Sequence, residues 1–187
     1  MFEVIAFLAL AIGLWAAGSI LSSLSVFYTL NLRSELISNV LYMLFYPAAF
    51  IALPRLLSQR SRISAVEILD STIIALGLSS LGTALFVGPV LPRLNGDMVM
   101  TFFAIFYPVG DLILVTSVIS TLLSQRLSKR AIIASAGIFI FAFSDFLFLW
   151  LHVNNKYIFG SVSDDGWLVG LALLVMSTQF KASEQNS

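Results

Sequence analysis

Long apolar runs, each broken by a short polar cluster, divide the chain into six segments: Phe2 to Phe27, Ser38 to Leu57, Ala65 to Val87, Met98 to Leu123, Ala131 to Val153 and Asp165 to Phe180. The runs are continuous and do not alternate at period two, so they predict helices and not the strands of a barrel. A hydrocarbon core about 30 Å thick takes roughly 20 apolar residues of helix. The pattern therefore predicts an all-α polytopic membrane protein, a six-helix transmembrane bundle over residues 1–180 with a cytoplasmic tail at 181–187. The opening "MFEVIAFLAL" has no basic n-region and no small-residue cleavage site, so the first run is read as a retained helix.

Composition changes this picture only by what it excludes. With 59% hydrophobic and 11% charged residues, and a mean hydropathy of +0.97, a soluble domain of this length could not hide its apolar surface. The bilayer is therefore the one partner that the composition itself requires. There is no Cys and one His, which removes disulfides, thiolate chemistry, zinc clusters and bis-histidine haem; no cofactor and no metal site are predicted. The net charge is zero and no basic cluster suggests nucleic acid.

The connectors after the second and fourth runs, with the tail, carry Arg55, Arg60, Arg62, Arg126, Lys129, Arg130 and Lys181. The other connectors carry Arg33, Arg93 and Lys156, beside the acids Glu35, Asp97, Asp164 and Asp165. Seven basic residues against three predict that both termini lie in the cytoplasm, in the cell membrane. The stretches "LFYPAAFIALPRLLSQRSRIS" from Leu44 and "IFYPVGDLILVTSVISTLLSQRLSK" from Ile105 both run from FYP to LLSQR. They lie two runs apart, in the second and the fourth, so they share one orientation and form a candidate parallel repeat, unlike the inverted repeats of many transporters.

Three carboxylates fall within the runs: Asp70, Asp111 and Asp145. Asp111 lies thirteen residues into its run and Asp145 fourteen into its own, which puts both near mid-bilayer. Asp70 is shallower and reads as interfacial. An ionised side chain at a helix centre costs about 2.5 to 3.5 kcal/mol on insertion scales, so a deep Asp must be paired, protonated or hydrated. No Lys or Arg lies deep enough in sequence to pair with Asp111 or Asp145. Pro47 and Pro108 each remove the N–H that would have bonded the carbonyl four residues earlier, at Met43 and Ala104. Helical side chains lean toward the N-terminus, so Asp111 leans toward the Pro108 turn. This gives two readings: a polar ligand or proton pocket of Asp111, Asp145, Tyr107 and Pro108, with Asp70 and His152 as its outlying members and Asp111 and Asp145 lining one cavity, or hydrogen-bonding glue between helices.

His152 follows Asp145 by seven residues on the same helix face, a rise of about 10.5 Å that excludes direct contact and leaves a water-mediated link or a plain interfacial role. The phenylalanines at 139, 141, 143, 146 and 148 surround their helix and read mostly as lipid contact and packing. "GSVSDDGWLVG", from Gly160, leads into the sixth helix, with Ser163 or Asp164 as the expected N-cap, Trp167 in the aromatic belt, and Gly166 and Gly170 as a GxxxG pair for close helix approach.

In order along residues 39 to 170, the segments "NVLYMLFYPAAFIAL", "ILDSTIIALG" followed by "FVGPVL", "YPVGDLILV", "FSDFLFLW" and "YIFGSVSDDGWLVG" resemble the N-terminal multi-helix membrane region ahead of diguanylate cyclase (GGDEF), phosphodiesterase (EAL) and some histidine-kinase modules, notably in actinobacterial signalling proteins. The resemblance marks Asp70, Tyr107, Pro108, Asp111, Asp145, Asp165, Gly166 and Trp167 as signature positions. It implies a sensory or regulatory input domain that signals inward through its last helix to a cytoplasmic module or partner protein. Only "KASEQNS" follows Phe180, without an output module, so the chain as it stands is expected neither to make nor to break a nucleotide messenger.

Two other classes stay open. "GIFIFAFSDFLF" is similar to the "LFxxSD" segment of lysoplasmalogenase-type membrane hydrolases, in which paired aspartates would act as acid and base, although that family has more helices and more widely separated aspartate motifs. A small transporter or proton channel would use the same deep carboxylates and proline-broken helices, and a homo-oligomer would remedy its small size. The charge bias gives the first testable outcome. Reporter fusions after Arg62, Asp97, Lys129 and Lys156 are expected to alternate inside, outside, inside, outside. Any other order means that the helix count is wrong.

Overall fold

In the computed structural model the described residues are 2–28, 32–57, 65–89, 91–93, 98–123 and 128–180. Arg60, Arg62, Asp97, Arg126, Lys181 and the tail 181–187, which enter the predicted topology, lie outside them. Among the described residues every regular element is helical: α1 (Phe2–Phe27), α2 (Leu32–Leu57), α3 (Ala65–Gly82), α4 (Met98–Leu123), α5 (Lys129–Val153) and α6 (Val162–Ser177). A π-helical turn, Thr83–Val87, prolongs α3, and a short 3₁₀ turn covers Leu91–Arg93. The fold class is that of an all-α membrane bundle. Among the described residues four helices are long and apolar enough to cross a bilayer, in α1, α2, α4 and α5. The other two are shorter; α6, with 16 residues, is about 24 Å long at the helical rise.

The chain divides into two compact units, residues 1–55 and 56–187. In the first, Val4, Leu8, Ala11, Trp15 and Gly18 recur at helical spacing and form the buried face of α1. The α1–α2 contact is built on small residues. A Cβ on Gly18 would stand 3.1 Å from the Ser38 carbonyl and from the Tyr42 ring, and the Ser38 hydroxyl donates to the Gly18 carbonyl at 2.8 Å. Lipid tails are as apolar as Leu, so close backbone approach and hydrogen bonds of this kind do the holding.

In the second unit α4 packs beside α3 and α5, and α5 pairs most extensively with α6. Thr116 Oγ1 of α4 donates to the Ala75 carbonyl of α3 at 3.0 Å as well as to its own Leu112 carbonyl at 2.6 Å. The buried hydroxyls of Ser117, Thr121, Ser135 and Ser144 satisfy themselves on carbonyls four residues back. They carry polar groups through apolar helices without leaving a donor unpaired. The π turn closes with the Gly88 N–H on the Thr83 carbonyl at 3.0 Å, and a Cβ at Gly88 would lie 2.6 Å from the Ala84 carbonyl. Only glycine fits there.

The described parts of the two repeat copies, 44–57 and 105–123, lie in α2 and α4, and the rest of their shared LLSQR endings lies outside the described residues. Their environments differ. Pro47 is exposed and Pro108 is fully buried, and three residues on, the exposed Phe50 of the first copy stands where the second has Asp111.

The α5–α6 crossing is the tightest. A Cβ on Gly137 would lie 2.7 Å from the Gly170 carbonyl, one on Gly170 would lie 2.8 Å from the Gly137 carbonyl, and one on Gly166 would overlap the Ser144 hydroxyl. The GxxxG pair thus does bring a neighbouring helix to backbone contact, with Gly137 as its counterpart. Gly170→Leu is expected to weaken the pair by about 1 to 3 kcal/mol, as overpacking does. Gly13→Leu on α1, where nothing lies within 4 Å, should be nearly silent. Unfolding of the two variants in detergent, followed by circular dichroism, checks the contrast.

Candidate functional site

Helix α5 ends in a motif that its sequence explains. The Asn155 N–H bonds the His152 carbonyl at 3.0 Å, the Lys156 N–H bonds the Leu151 carbonyl at 2.8 Å, and Asn155 takes a left-handed φ of 53°. This is a Schellman closure with Asn in the position usually given to Gly. The chain then turns at Gly160, whose φ of 85° is open to glycine and strained for other residues.

Helix α6 starts earlier than its sequence predicts. Ser161 holds the N-cap position, in place of Ser163 or Asp164, and makes no side-chain cap bond to the backbone. Asp164 instead reaches back from the first turn: Oδ2 accepts the Gly160 N–H at 2.6 Å, and Oδ1 accepts the Tyr157 hydroxyl at 3.1 Å. A carboxylate in the third helical position satisfies an entry donor as in a capping box and also faces the positive end of the helix dipole. Asp165 is exposed in the same turn, and Gly166 rests on Ser144.

The turn-and-return sets Trp167 beside α5. Its indole Nε1–H donates to Asp145 Oδ1 at 2.7 Å. The sequence placed Trp167 only in an aromatic belt; the structure gives its N–H a carboxylate partner, as partly buried Trp requires. Asp145 is half-buried, and a hydrogen bond to a carboxylate is strongest when the acceptor is ionised. Phe148 joins the group: its ring lies 5.5 Å from Trp167, 4.7 Å from Tyr157 in an edge-on arrangement, and 5.6 Å from His152 in a stack. Asp145 and His152 thus border one contiguous cluster, connected through Trp167 and Phe148. Phe139 and Phe143 are exposed as lipid-facing residues should be, whereas Phe141 is core and Phe148 is the hub.

The second deep carboxylate lies on α4, which packs against α5. Asp111 is 1% exposed and Pro108 is fully buried one turn before it. Tyr107 is half-buried and stacks on Phe103 at 5.9 Å. Leu112, the next residue after Asp111, fills the space at Gly82, where a Cβ would come within 2.8 Å of it. Asp70 is exposed on α3. Sequence reasoning missed the Trp167 bond, the Phe148 hub, the Tyr157–Asp164 pair and the burial of Arg130, which at 3% exposed does not stand among the surface charges. Among the described residues no group of three or more His, Asp or Glu is placed to hold a metal ion.

Comparison with family models, curated proteins and solved structures finds no match to this chain.

The Asp145–Trp167 bond generates a direct test. In a double-mutant cycle, Trp167→Phe keeps a ring against Phe148 and removes the donor, while Asp145→Leu removes the acceptor. The coupling between the two changes should be about 0.5 to 2 kcal/mol, the range of interhelical hydrogen bonds in lipid. Unfolding free energies in detergent measure it, and additive effects would mean that the bond contributes nothing.

Proposed function

We propose that the chain is a membrane-embedded sensory or regulatory input domain, multi-pass in the cell membrane with both termini cytoplasmic. It binds a small ligand, a lipid or a proton at its intramembrane carboxylates and passes the change inward through α6. The observation that carries the reading is the Asp145–Trp167 hydrogen bond, which ties a carboxylate in the body of α5 to the first turns of the last helix. A ligand or proton that changes what Asp145 offers the indole changes the hold on α6 directly. The tight Gly137–Gly170 crossing gives that helix a fixed fulcrum deeper in the pair.

Asp111 supplies the second polar position in this reading. A carboxylate that is almost wholly buried in an apolar helix is costly, and such groups mark ligand and proton pathways. The proposal keeps Asp111 and Asp145 on one cavity, with Tyr107 and Pro108 shaping its α4 wall. The ordered resemblance to membrane regions ahead of cyclase and kinase modules points the same way, since those modules take their signal from the last helix.

The reading is tested by joining residues 1–180 to a diguanylate cyclase module and measuring cyclic di-GMP in cells. Asp111→Asn and Asp145→Asn keep size and most hydrogen bonding but remove titration, so each is expected to lock output several-fold above or below the unsubstituted fusion at equal membrane insertion. Pro108→Ala should shift output in the same assay by restoring the missing helical N–H. Output unchanged in all three, with normal insertion, would make these residues structural glue and defeat the proposal.

A further inference from the structure

The loop between α5 and α6, together with the first residue of α6, presents a set of side chains that the sensory reading does not use. Ile158 is 75% exposed, Phe159 54% and Val162 74%, all within five residues of one turn. A loop tip in water is not the place for three large apolar side chains, and contiguous exposed apolar surface marks an interaction site. Beside them, Lys156 folds back so that its Nζ stands 5.6 Å from the centre of the exposed Trp150 ring.

Two observations identify what covers this patch. The first is continuity with the lipid-facing surface. Ile132, Phe139, Phe143 and Trp150 are exposed at spacings of seven, four and seven, one stripe along α5, and Lys156 brings the loop onto the end of that stripe. The second is length. The 25 residues of α5 span about 37 Å, longer than the roughly 30 Å of hydrocarbon, so its ends stand in the interfacial layer. That layer takes amphipathic Trp and snorkelling Lys at the headgroups and apolar side chains just beneath them.

The geometry points to the α5–α6 loop as an interfacial anchor: Ile158, Phe159 and Val162 insert at the acyl boundary of the bilayer, while Lys156, steadied on Trp150, engages a lipid phosphate. The occupant is the surrounding phospholipid. The anchor fixes the depth at which the α5–α6 pair sits, and with it the depth of Asp145 and Trp167. It rests on the membrane placement of α5 and not on the sensory reading, so either can fail alone.

The chain has no cysteine, so a single introduced thiol labels one position cleanly. Phe159→Cys and, separately, Val162→Cys would be labelled with a nitrobenzoxadiazole dye and reconstituted into vesicles of phosphatidylcholine with phosphatidylglycerol. The expected result at both positions is several-fold stronger quenching by lipid carrying a doxyl group near the glycerol backbone than by aqueous iodide. Adding Lys156→Glu, which sets a negative charge against the phosphates, should move the label toward iodide. Strong iodide quenching without doxyl quenching would place the loop in water and overturn the inference. Protection from both quenchers would place a second copy or another protein on the patch and overturn it equally, and indifference to Lys156→Glu would overturn the phosphate contact.

Discussion

Within a bilayer the solvent is as apolar as the side chains, so burial of leucine against leucine gives two helices little reason to associate. What remains is close backbone contact and hydrogen bonding between helices. The α5–α6 pair rests on both. Gly137 and Gly170 each leave room for the other's carbonyl, and Gly166 leaves room for Ser144. The rest of the site follows from that crossing: with the two backbones fixed at contact and the connector closed by Asn155 and Gly160, Trp167 is delivered to Asp145 and the Phe148 cluster fills the space around it. Were the helices held a side chain farther apart, the indole would not meet the carboxylate.

The same device recurs at smaller scale. Ser38 on the Gly18 carbonyl and Thr116 on the Ala75 carbonyl are hydroxyl-to-carbonyl bonds between neighbouring helices, each beside a small residue that allows the approach. Ser117, Thr121, Ser135 and Ser144 turn back on carbonyls of their own helices. These hydroxyls therefore divide into those that join helices and those that merely tolerate lipid. Asp145 belongs with the first group.

The helices were legible in the sequence because lipid demands long unbroken apolar runs, and α1 and α4 match their runs end to end. The ends of α2 and α6 were less so. Helix α2 begins at Leu32, six residues before its apolar run, because Arg33, Ser34 and Glu35 are compatible with helix even though they are not apolar. Helix α6 begins at Val162 because Asp164 caps it from inside, a geometry that hydropathy does not register. The glycine pair of α6 was readable from spacing alone. The partner of Asp145 was not, since it depends on how α5 and α6 are rotated about their axes, and Phe148 could not be told from the other phenylalanines that surround α5. Burial of Arg130 runs against the rule that basic residues near helix ends face the headgroups, and only packing reveals it.

The most direct test of the account is the hydrogen bond that joins α5 to the start of α6. The chain has three tryptophans, so indole ¹⁵N labelling yields three resolvable N–H signals. The Trp167 indole should exchange with solvent slowly and shift on Asp145→Leu, while the signals of Trp15 and the exposed Trp150 stay in place. A Trp167 signal that exchanges as fast as that of Trp150 and ignores the loss of Asp145 would contradict the account.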